Sequence, residues 1–402
     1  MLTKEKDILI MMRDEIYAEL TEHIIPFWNG LRDDVFGGFT GYMDSDLNID
    51  KKGEKGVILH SRILWFYSNA YMALKDPALL DNARHAYEFL RDKCVDKEYG
   101  GVYWSMNYDG TVKDDFKHTY CQAFFIYALS SYYRASGDKD ALDLAYEVSA
   151  LVEKYATDDV AYLETMSRDW THELQNDELS ENGLMADKTM NTTLHLMEAY
   201  TELYIADKNP TILDRLKFQL ELTYDRIFDK QGDKLLVFFD RNFDVIGDIH
   251  SYGHDIEATW LIDRATDAIG DKALSERFAE MNRRIVRNIY NIAYDKATGS
   301  LLNENDSGKI NTWRIWWVQA ESVVGFLNAY GRGYGGQEYL EAAQAVWGYI
   351  KEHIIDKRRG GEWFSQVDEN GQYAAFKPTV DPWKCPYHNG RMCLEVIKRL
   401  DK

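Results

Sequence analysis

Apolar residues recur at steps of three and four along most of this chain, which is the spacing of helices that bury one face. Six of these segments are apolar on nearly every side, as expected for helices that other helices surround. We predict them as inner helices at residues 58–74, 120–135, 190–205, 256–269, 318–330 and 392–400. The segments between them carry more charge and predict outer helices at residues 79–94, 139–155, 210–227, 272–289 and 337–353, with the N-terminal segment as the sixth.

A turn-and-strand segment recurs between the predicted helices. Residues 33–44, 96–107 and 356–368 share an initial aspartate and a pair of adjacent glycines, and Gly37 and Gly100 lie 63 residues apart. A period of roughly 60 to 70 residues marks a repeated supersecondary unit. Weaker copies of the segment lie at residues 160–164, 232–240 and 299–304.

Twelve helices in six repeated hairpins predict an all-α fold, an (α/α)6 barrel with short β-hairpins or loops at one end. The strands should be few and short. An open solenoid would need closely similar repeats and polar terminal caps, and this chain shows neither. Because no Ser-, Gly- or Pro-rich linker interrupts residues 1–402, we expect a single catalytic domain.

The net charge of −20 over 402 residues disfavours nucleic acid and anionic membrane surfaces as partners, because both require clustered positive charge. No apolar run approaches the roughly 18 residues of a membrane span, and the N-terminus lacks the apolar core of a signal peptide. The four cysteines form no CxxC pair, which is typical of reduced thiols. We therefore expect a cytoplasmic monomer whose partner is a small molecule.

Aromatic residues are abundant, with 27 Tyr, 17 Phe and 11 Trp. Most of them should fill a large core, but Trp316 and Trp317 lie among polar residues. Tryptophan is rarely fully buried, and flat rings beside hydrogen-bonding groups suit the apolar faces of a sugar. This composition is compatible with a sugar-binding cavity.

Residues of types that serve in catalysis or sugar binding fall where each predicted inner helix begins. They are His60 and Arg62, His118 and Tyr120, Asn191 and His195, His254 and Glu257, Trp316, Trp317 and Glu321, and Trp383 and His388. Residues three or four positions apart share one face of a helix, as Asn191 and His195 do. In a closed barrel all six sets would meet at one mouth of the cavity.

Two histidines with pKa values of about 6.5 suit the removal and return of a proton at neutral pH. His254 and His388 are the candidates for this pair. Arg62 lies in an apolar run and must be paired or line a cavity, because burial of a lone charge is costly. Tyr120, Trp316 and His118 are nearly as well explained by packing or capping. The remaining histidines are interpreted as supporting, packing or surface residues: His23, His85, His172, His250 and His353.

Three other kinds of site stay open at this point. His250, His254 and Glu257 could bind a metal, although the order differs from the HExxH helix of zinc proteases, and we expect none. Glu257 and Glu321 could serve a glycoside hydrolase, which needs two inward carboxylates about 5–5.5 Å or 6.5–9.5 Å apart. The predominance of His, Arg, Asn and Trp argues against that chemistry. A sugar-binding barrel without activity would have no use for paired histidines.

At these residues the sequence resembles the cellobiose 2-epimerases of the N-acylglucosamine 2-epimerase superfamily. The resemblance covers essentially the whole chain, including helix surfaces outside the candidate site. It is carried by GVILHSRILWFYSNAY (56–71), GGVYW (100–104), KHTYCQAFFIYALSSYYRASGD (117–138), ENGLMADKTMNTTLHLMEAY (181–200), GDIHSYGHDIEATWL (247–261), WWVQAE (316–321), and GGEWFSQV and PWKCPYHNGRMC within 360–393.

The resemblance implies reversible epimerisation at C2 of the reducing-end glucose of β-1,4-linked disaccharides, with no metal or organic cofactor. It implies that His254 and His388 are the acid/base pair and that Arg62, Asn191 and His195 surround the reacting end. It implies that Glu257 and Glu321 hold sugar hydroxyls or orient the histidines, that Trp317 and Trp383 stack on the sugar, and that Tyr120 lies nearby. Tyr120 and Trp316 are counted with these residues as substrate-binding candidates. A mannobiose or N-acylglucosamine 2-epimerase would share most of this site, and an aldose–ketose isomerase would return the proton to C1.

Overall fold

Thirteen helices form most of the computed structural model, which describes residues 3–175, 178–180 and 183–400. In chain order they are α1 (Thr3–Ala18), α2 (Ile25–Asn29), α3 (Val57–Leu74), α4 (Pro77–Phe89), α5 (Thr119–Ser136), α6 (Lys139–Tyr155), α7 (Met190–Asp207), α8 (Pro210–Leu222), α9 (Tyr252–Ile269), α10 (Lys272–Ile292), α11 (Trp316–Arg332), α12 (Gln337–Tyr349) and α13 (His388–Leu400). Short π-helical segments continue four of the outer helices at Glu19–Ile24, Leu90–Cys94, Thr223–Ile227 and Ile350–Ile354.

Six helices form a closed inner ring. Helices α3, α5, α7, α9, α11 and α13 each contact the next, and α13 contacts α3. The outer helices α4, α6, α8, α10 and α12 each pack on the inner helix that precedes them, whereas α1 packs on α13. The (α/α)6 barrel predicted from the sequence is confirmed. No helix among the described residues is long and apolar enough to cross a membrane.

Tight turns connect inner to outer helices at one end of the barrel. The inner helices α3, α5, α7 and α9 end on a residue with positive φ: Lys75, Gly137, Lys208 and Gly270. The next residue, Asp76, Asp138, Asn209 or Asp271, caps the outer helix by accepting a hydrogen bond from a backbone N–H. A left-handed residue followed by an Asp or Asn cap is the local signal that reverses the chain here.

The opposite end carries sixteen strands of two or three residues each. They are β1 (Lys55–Gly56), β2 (Ser105–Met106), β3 (Val112–Asp114), β4 (Lys117–His118), β5 (Thr165–Met166), β6 (Lys188–Thr189), β7 (Phe228–Asp229), β8 (Lys234–Leu235), β9 (Phe238–Phe239), β10 (Ile249–Ser251), β11 (Tyr294–Asp295), β12 (Ser300–Leu301), β13 (Glu304–Asp306), β14 (Lys309–Asn311), β15 (Arg314–Ile315) and β16 (Gln366–Val367). The strands are short, as predicted, but they are not few. Partly buried hairpin backbone must pair its N–H and C=O groups, and each hairpin forms a short ladder.

These strands link neighbouring repeats around the ring. Each of β1, β4, β6, β10 and β15 comes directly before an inner helix and pairs antiparallel with a strand of the following repeat: β2, β5, β9, β13 and β16. A bridge between Met43 and Val380 joins the sixth repeat to the first. The N-terminal ends of the inner helices are thereby held together at one mouth of the barrel.

Buried ion pairs fix the hairpins at four positions of the ring. The pairs are Lys55–Asp33 (2.7 Å), Lys117–Asp96 (3.0 Å), Lys188–Asp158 (2.6 Å) and Arg314–Asp295 (2.8 Å). Each cation lies two residues before an inner helix. Asp33 and Asp96 open two of the repeated turn segments, whereas Asp158 and Asp295 lie two and four residues before the weaker copies at 160–164 and 299–304. His250 occupies this position before α9, where its Nε2 bonds Asp255 at 2.7 Å.

The fourth residue of an inner helix also ties that helix to a hairpin. His60, Gln122, Asp255 and Gln319 each accept a hydrogen bond from a hairpin backbone N–H. His60 accepts at Nε2, and its Nδ1 donates to the Gly56 carbonyl oxygen. His60 therefore has a structural role, although its position in the repeat had placed it among the candidate site residues.

We expect Asp96→Ala to lower the free energy of unfolding by about 3–5 kcal/mol, because it leaves Lys117 buried without its carboxylate. Asp92→Ala is the matched control, since Asp92 pairs with Arg91 where both side chains are about half exposed. Its cost should stay below about 1 kcal/mol. Urea unfolding followed by tryptophan fluorescence measures both variants, and equal losses would contradict the structural role of the buried pair.

Candidate active site

The N-terminal ends of the inner helices surround a cavity of about 540 Å3. Ten of the eleven predicted site residues line it: Arg62, Tyr120, Asn191, His195, His254, Glu257, Trp316, Trp317, Trp383 and His388. Glu321 does not line the cavity and lies behind His388. The hairpins add Ser180, Asn303, Glu304 and Lys377 to the wall.

His254 and His388 lie against the same indole. Their ring centroids are 4.7 Å and 5.5 Å from that of Trp317. Helix α9 supplies His254 as its third residue and α13 supplies His388 as its first, so ring closure brings together two residues that are 134 positions apart. The apolar pattern predicted both helices to begin four residues later, because the polar residues of the first turn face the cavity and interrupt that pattern.

A carboxylate holds His388 from behind. Its Nδ1 lies 2.8 Å from Oε1 of Glu321, and Oε2 of Glu321 accepts a hydrogen bond from the indole N–H of Trp260 at 3.0 Å. Burial raises the pKa of Glu321, whereas the Arg391 guanidinium and the Trp260 indole favour its ionised form. An ionised carboxylate accepts but does not donate, so in that form Nδ1 of His388 carries the hydrogen and Nε2 is the basic nitrogen. His254 is oriented differently, by a 2.7 Å hydrogen bond between its Nδ1 and the Ser251 hydroxyl.

His195 has a similar carboxylate partner. Its Nδ1 lies 2.9 Å from Oε2 of Glu198, and that oxygen also accepts from the Tyr387 hydroxyl at 2.7 Å. Burial opposes ionisation of Glu198, but Arg391 and His195 outweigh it and lower the pKa of this carboxyl to about 2. Glu198 is therefore a charged acceptor at every pH at which the protein is expected to work.

Arg391 connects these groups. It is fully buried on α13 and donates to Glu198, Glu257 and Glu321, which come from α7, α9 and α11. Arg391, Glu198, Tyr387 and Trp260 were not predicted from the sequence. One signal was available for two of them, because Glu198 follows His195 and Arg391 follows His388 by three residues on the same helix.

Arg62 is a buried cation of another kind. It is 3% exposed, and no carboxylate among the described residues pairs with it. One guanidinium nitrogen donates to the Tyr120 hydroxyl at 2.8 Å and another to the Trp383 carbonyl oxygen at 3.2 Å. Its carbon lies 4.2 Å from the centroid of the Phe124 ring. A guanidinium that borders a cavity without a counter-ion is suited to meet negative charge on a ligand.

Further polar atoms at the cavity are buried without a partner. They include Oδ1 of Asn191, Oε2 of Glu257 and Nε1 of Trp316. Buried polar atoms without hydrogen bonds are rare and costly, and a polar ligand would satisfy these. His118 differs, because its Nδ1 caps α5 by accepting from the backbone N–H of Tyr120.

Burial sets the charge state of the two histidines. Burial lowers the pKa of His254 to about 3, with a small contribution from His195. It also lowers the pKa of His388 well below the usual range, as do Arg391 and Arg62. Both imidazoles are therefore neutral at neutral pH and can accept a proton.

The carboxylates beside His388 are already paired with a cation, and Glu257 and Glu321, the pair considered for sugar hydrolysis, do not both face the cavity. Among the described residues, one cluster has metal-ligand spacing, with atoms of Glu257, Glu321 and His388 within 4.8 Å of one another. The Arg391 guanidinium already supplies a cation to both carboxylates, and Glu321 is outside the cavity wall. His250 is bonded to Asp255, which removes the metal site suggested by its spacing from His254.

Comparison with known proteins identifies the family. Residues 37–389 match the model of the N-acylglucosamine 2-epimerases. The chain belongs to the N-acylglucosamine 2-epimerase family. It is 59% identical to a cellobiose 2-epimerase of Ruminococcus albus over 97% of this chain and 99% of that protein.

Solved structures agree with this family assignment. The fold matches a sugar epimerase from a ruminal bacterium with a TM-score of 0.95 and 59% identity, over 96% of this chain and 99% of the other. It matches a cellobiose 2-epimerase from Bacillus thermoamylovorans with a TM-score of 0.93 and 44% identity, over 97% and 99% of the two chains. This member of the N-acylglucosamine 2-epimerase family is an isomerase.

The carboxylate pKa values predict how stability depends on pH. Burial and the neighbouring Glu321 raise the pKa of Glu257 to about 7 in the folded protein. Its native pKa lies above the unfolded value, so the contribution of Glu257 to stability falls as pH rises from about 5 to 8. Glu257→Gln lacks this contribution, whereas the other titrating groups are common to both proteins. The stability of this variant relative to wild type should therefore increase by about 2 kcal/mol between pH 5 and pH 8 in urea unfolding.

Glu198→Gln is the matched control for this measurement. The native pKa of Glu198 is lowered, so the stability that it contributes is already present at pH 5 and is lost only toward pH 2. The control should be destabilised by a similar amount at pH 5 and pH 8. A Glu257→Gln effect that did not change with pH would contradict the raised pKa of Glu257.

Proposed function

We propose that this enzyme reversibly epimerises C2 of the reducing-end glucose of β-1,4-linked disaccharides and oligosaccharides. Cellobiose would become 4-O-β-D-glucosyl-D-mannose, and lactose would become epilactose. The observation that carries the proposal is the placement of two neutral histidines, His254 and His388, against one tryptophan in one cavity. The similarity to relatives named cellobiose 2-epimerase supports the choice of substrate.

The cavity wall suits a sugar. Ligand sites combine apolar and aromatic walls with a few polar groups that fix orientation. Trp317 and Trp383 supply the flat apolar surfaces, and Trp316 adds an unpartnered indole N–H. Asn191 and Glu257 present unpartnered oxygens that could accept hydrogen bonds from sugar hydroxyls.

The first steps are ring opening and removal of the C2 proton. A neutral histidine takes the O1 proton and passes it to the ring oxygen as the bond between C1 and that oxygen breaks, and the resulting C1 aldehyde acidifies the C2 hydrogen. A neutral imidazole then takes the C2 proton. At His388 the imidazolium that forms is stabilised by the Glu321 carboxylate at Nδ1, just as a buried carboxylate supports the histidine of a catalytic triad.

The enediolate needs a cation beside its oxygens. Arg62 has no carboxylate partner in the described structure and borders the cavity with Tyr120 and His195, so we place it at the developing negative charge. A preorganised donor of this kind is worth about 10²–10³ in rate. Return of a proton to the opposite face of C2 gives the epimer, either from the second histidine or after rotation about C2–C3.

The proposed steps move only protons, so they invoke no metal or organic cofactor. The cavity is lined by residues from Arg62 to His388 of one chain, and we accordingly propose one catalytic domain that acts as a monomer. All four cysteines are buried and unbridged, which is compatible with a reducing cytoplasm.

Incubation in D2O with product analysis by NMR tests the reaction. We expect cellobiose and lactose to yield C2 epimers that carry deuterium at C2, because the abstracted proton exchanges with solvent. Mannobiose and N-acetylmannosamine are tested in parallel as substrates of the alternative epimerases. A product that carries its deuterium at C1 would indicate the isomerase. Release of glucose, or preference for one of the alternative substrates, would overturn the proposal.

His254→Asn and His388→Asn test the acid/base pair. Each variant should lower kcat by about 10²–10⁴, the usual contribution of a general acid or base. His85→Asn is the control, because His85 lies on an outer helix, where its ring nitrogen bonds the Gly38 carbonyl oxygen. Circular dichroism should show all three variants folded. An active double variant of His254 and His388 would contradict their assignment.

A further inference from the structure

One buried guanidinium meets three carboxylates inside the ring. Arg391 lies 2.6 Å from Oε1 of Glu198, 2.6 Å from Oε1 of Glu321 and within hydrogen-bond contact of Oε1 of Glu257. All four side chains are 2% exposed or less. The four residues come from four of the six inner helices, so the cluster ties together most of the ring.

Two of these carboxylates hold histidines of the cavity. Glu321 accepts from Nδ1 of His388 and Glu198 accepts from Nδ1 of His195. At Glu198, Arg391 bonds Oε1 while His195 bonds Oε2, and at Glu321 both Arg391 and His388 bond Oε1. Arg391 touches neither histidine in the described hydrogen bonds, yet it is bonded to the partner of each.

We propose that Arg391 is a positioning residue that fixes the tautomer and orientation of His388 and His195 together, through Glu321 and Glu198. The inference rests on the epimerisation proposed above. The fork of the guanidinium is what makes this possible, because one nitrogen faces Glu198 while another faces both Glu257 and Glu321.

Arg391 balances the charge of this cluster. Three buried carboxylates cannot all stay ionised without a cation among them, since like charges in a dry site raise one another's pKa. Glu257 already has a raised pKa, and without Arg391 the pKa values of Glu321 and Glu198 would rise as well, which favours protonation of the two histidine partners. A protonated carboxyl can donate a hydrogen bond, so Nδ1 of the histidine could become the acceptor and Nε2 would carry the hydrogen. An Nε2–H imidazole facing the cavity cannot remove a proton from C2.

Arg391 also acts on His388 by its charge. The titratable and charged groups around His388 are Arg391, Arg62, Glu321, Glu257, His195 and His254. Burial is the largest cause of the low pKa of His388, and Arg391 is the next. Loss of the guanidinium should therefore raise the pKa of His388 and move the acidic limb of kcat/KM to higher pH.

The test compares Arg391→Met with Arg391→Lys. In the Met variant we expect kcat to fall by about 10- to 100-fold, as is usual when the support of a reacting group is removed, with KM nearly unchanged and the acidic limb at higher pH. Lysine keeps the charge but not the fork. Arg391→Lys should lose kcat while its acidic limb stays near that of the wild type.

Arg264→Met is the matched control. Arg264 lies on α9 and pairs with the buried Glu202 of α7, but it bonds neither histidine partner. A purely structural effect of losing a buried guanidinium should appear in both Met variants as a lower melting temperature. The shift of the acidic limb should appear only at position 391.

A readout without substrate separates this inference from the proposed function. Histidine labelled with 15N reports tautomers in the free enzyme by NMR. We expect His388 and His195 to be Nδ1–H tautomers in the wild type and to lose that state in Arg391→Met. If the wild type does not epimerise cellobiose, the proposed function fails while this spectrum still tests the positioning. Unchanged tautomers, or a wild-type kcat and pH profile in Arg391→Met, would overturn the role of Arg391.

Discussion

The buried guanidinium of Arg391 is the interaction on which the candidate site most depends. A charge that is removed from water needs close counter-charges, and Arg391 finds them on α7, α9 and α11. Two of these carboxylates, Glu198 and Glu321, bond the ring nitrogens of His195 and His388. The requirement to neutralise one buried charge therefore also determines where two imidazoles of the cavity point.

The barrel provides the frame for this arrangement. Strand pairing between neighbouring repeats holds the beginnings of the inner helices at one mouth, and the contact between α13 and α3 brings the sixth repeat beside the first. His388 and Arg62 consequently line one cavity although 326 residues separate them. No carboxylate in the described part of the chain pairs with Arg62, and this suits the role proposed for it beside negative charge on the substrate.

Much of this could be predicted from the sequence, and the misses have physical causes. Helical periodicity and the repeated glycine segments gave the barrel, and the repeat position gave the residues of the cavity. Helices α9 and α13 begin four residues before their apolar pattern does, because polar residues of the first turn face the cavity. Arg391 and Glu198 were missed because the ion pairs that define their roles join different helices, and the three-residue spacing from a histidine is a weak signal by itself. His250 and His60 occupy scaffold positions that only the hairpin contacts reveal.

The central claim is that His254 and His388 act on C2 of one bound sugar. A crystal structure with cellobiitol, in which the reducing end is a stable open chain, tests it most directly. The account predicts C2 within about 3–3.5 Å of Nε2 of at least one of the two histidines, which is the distance of a near-attack geometry. It also predicts the Arg62 guanidinium at O1 or O2 of the ligand. A ligand whose C2 lay away from both histidines, or whose glycosidic oxygen lay against Glu257, would contradict the account.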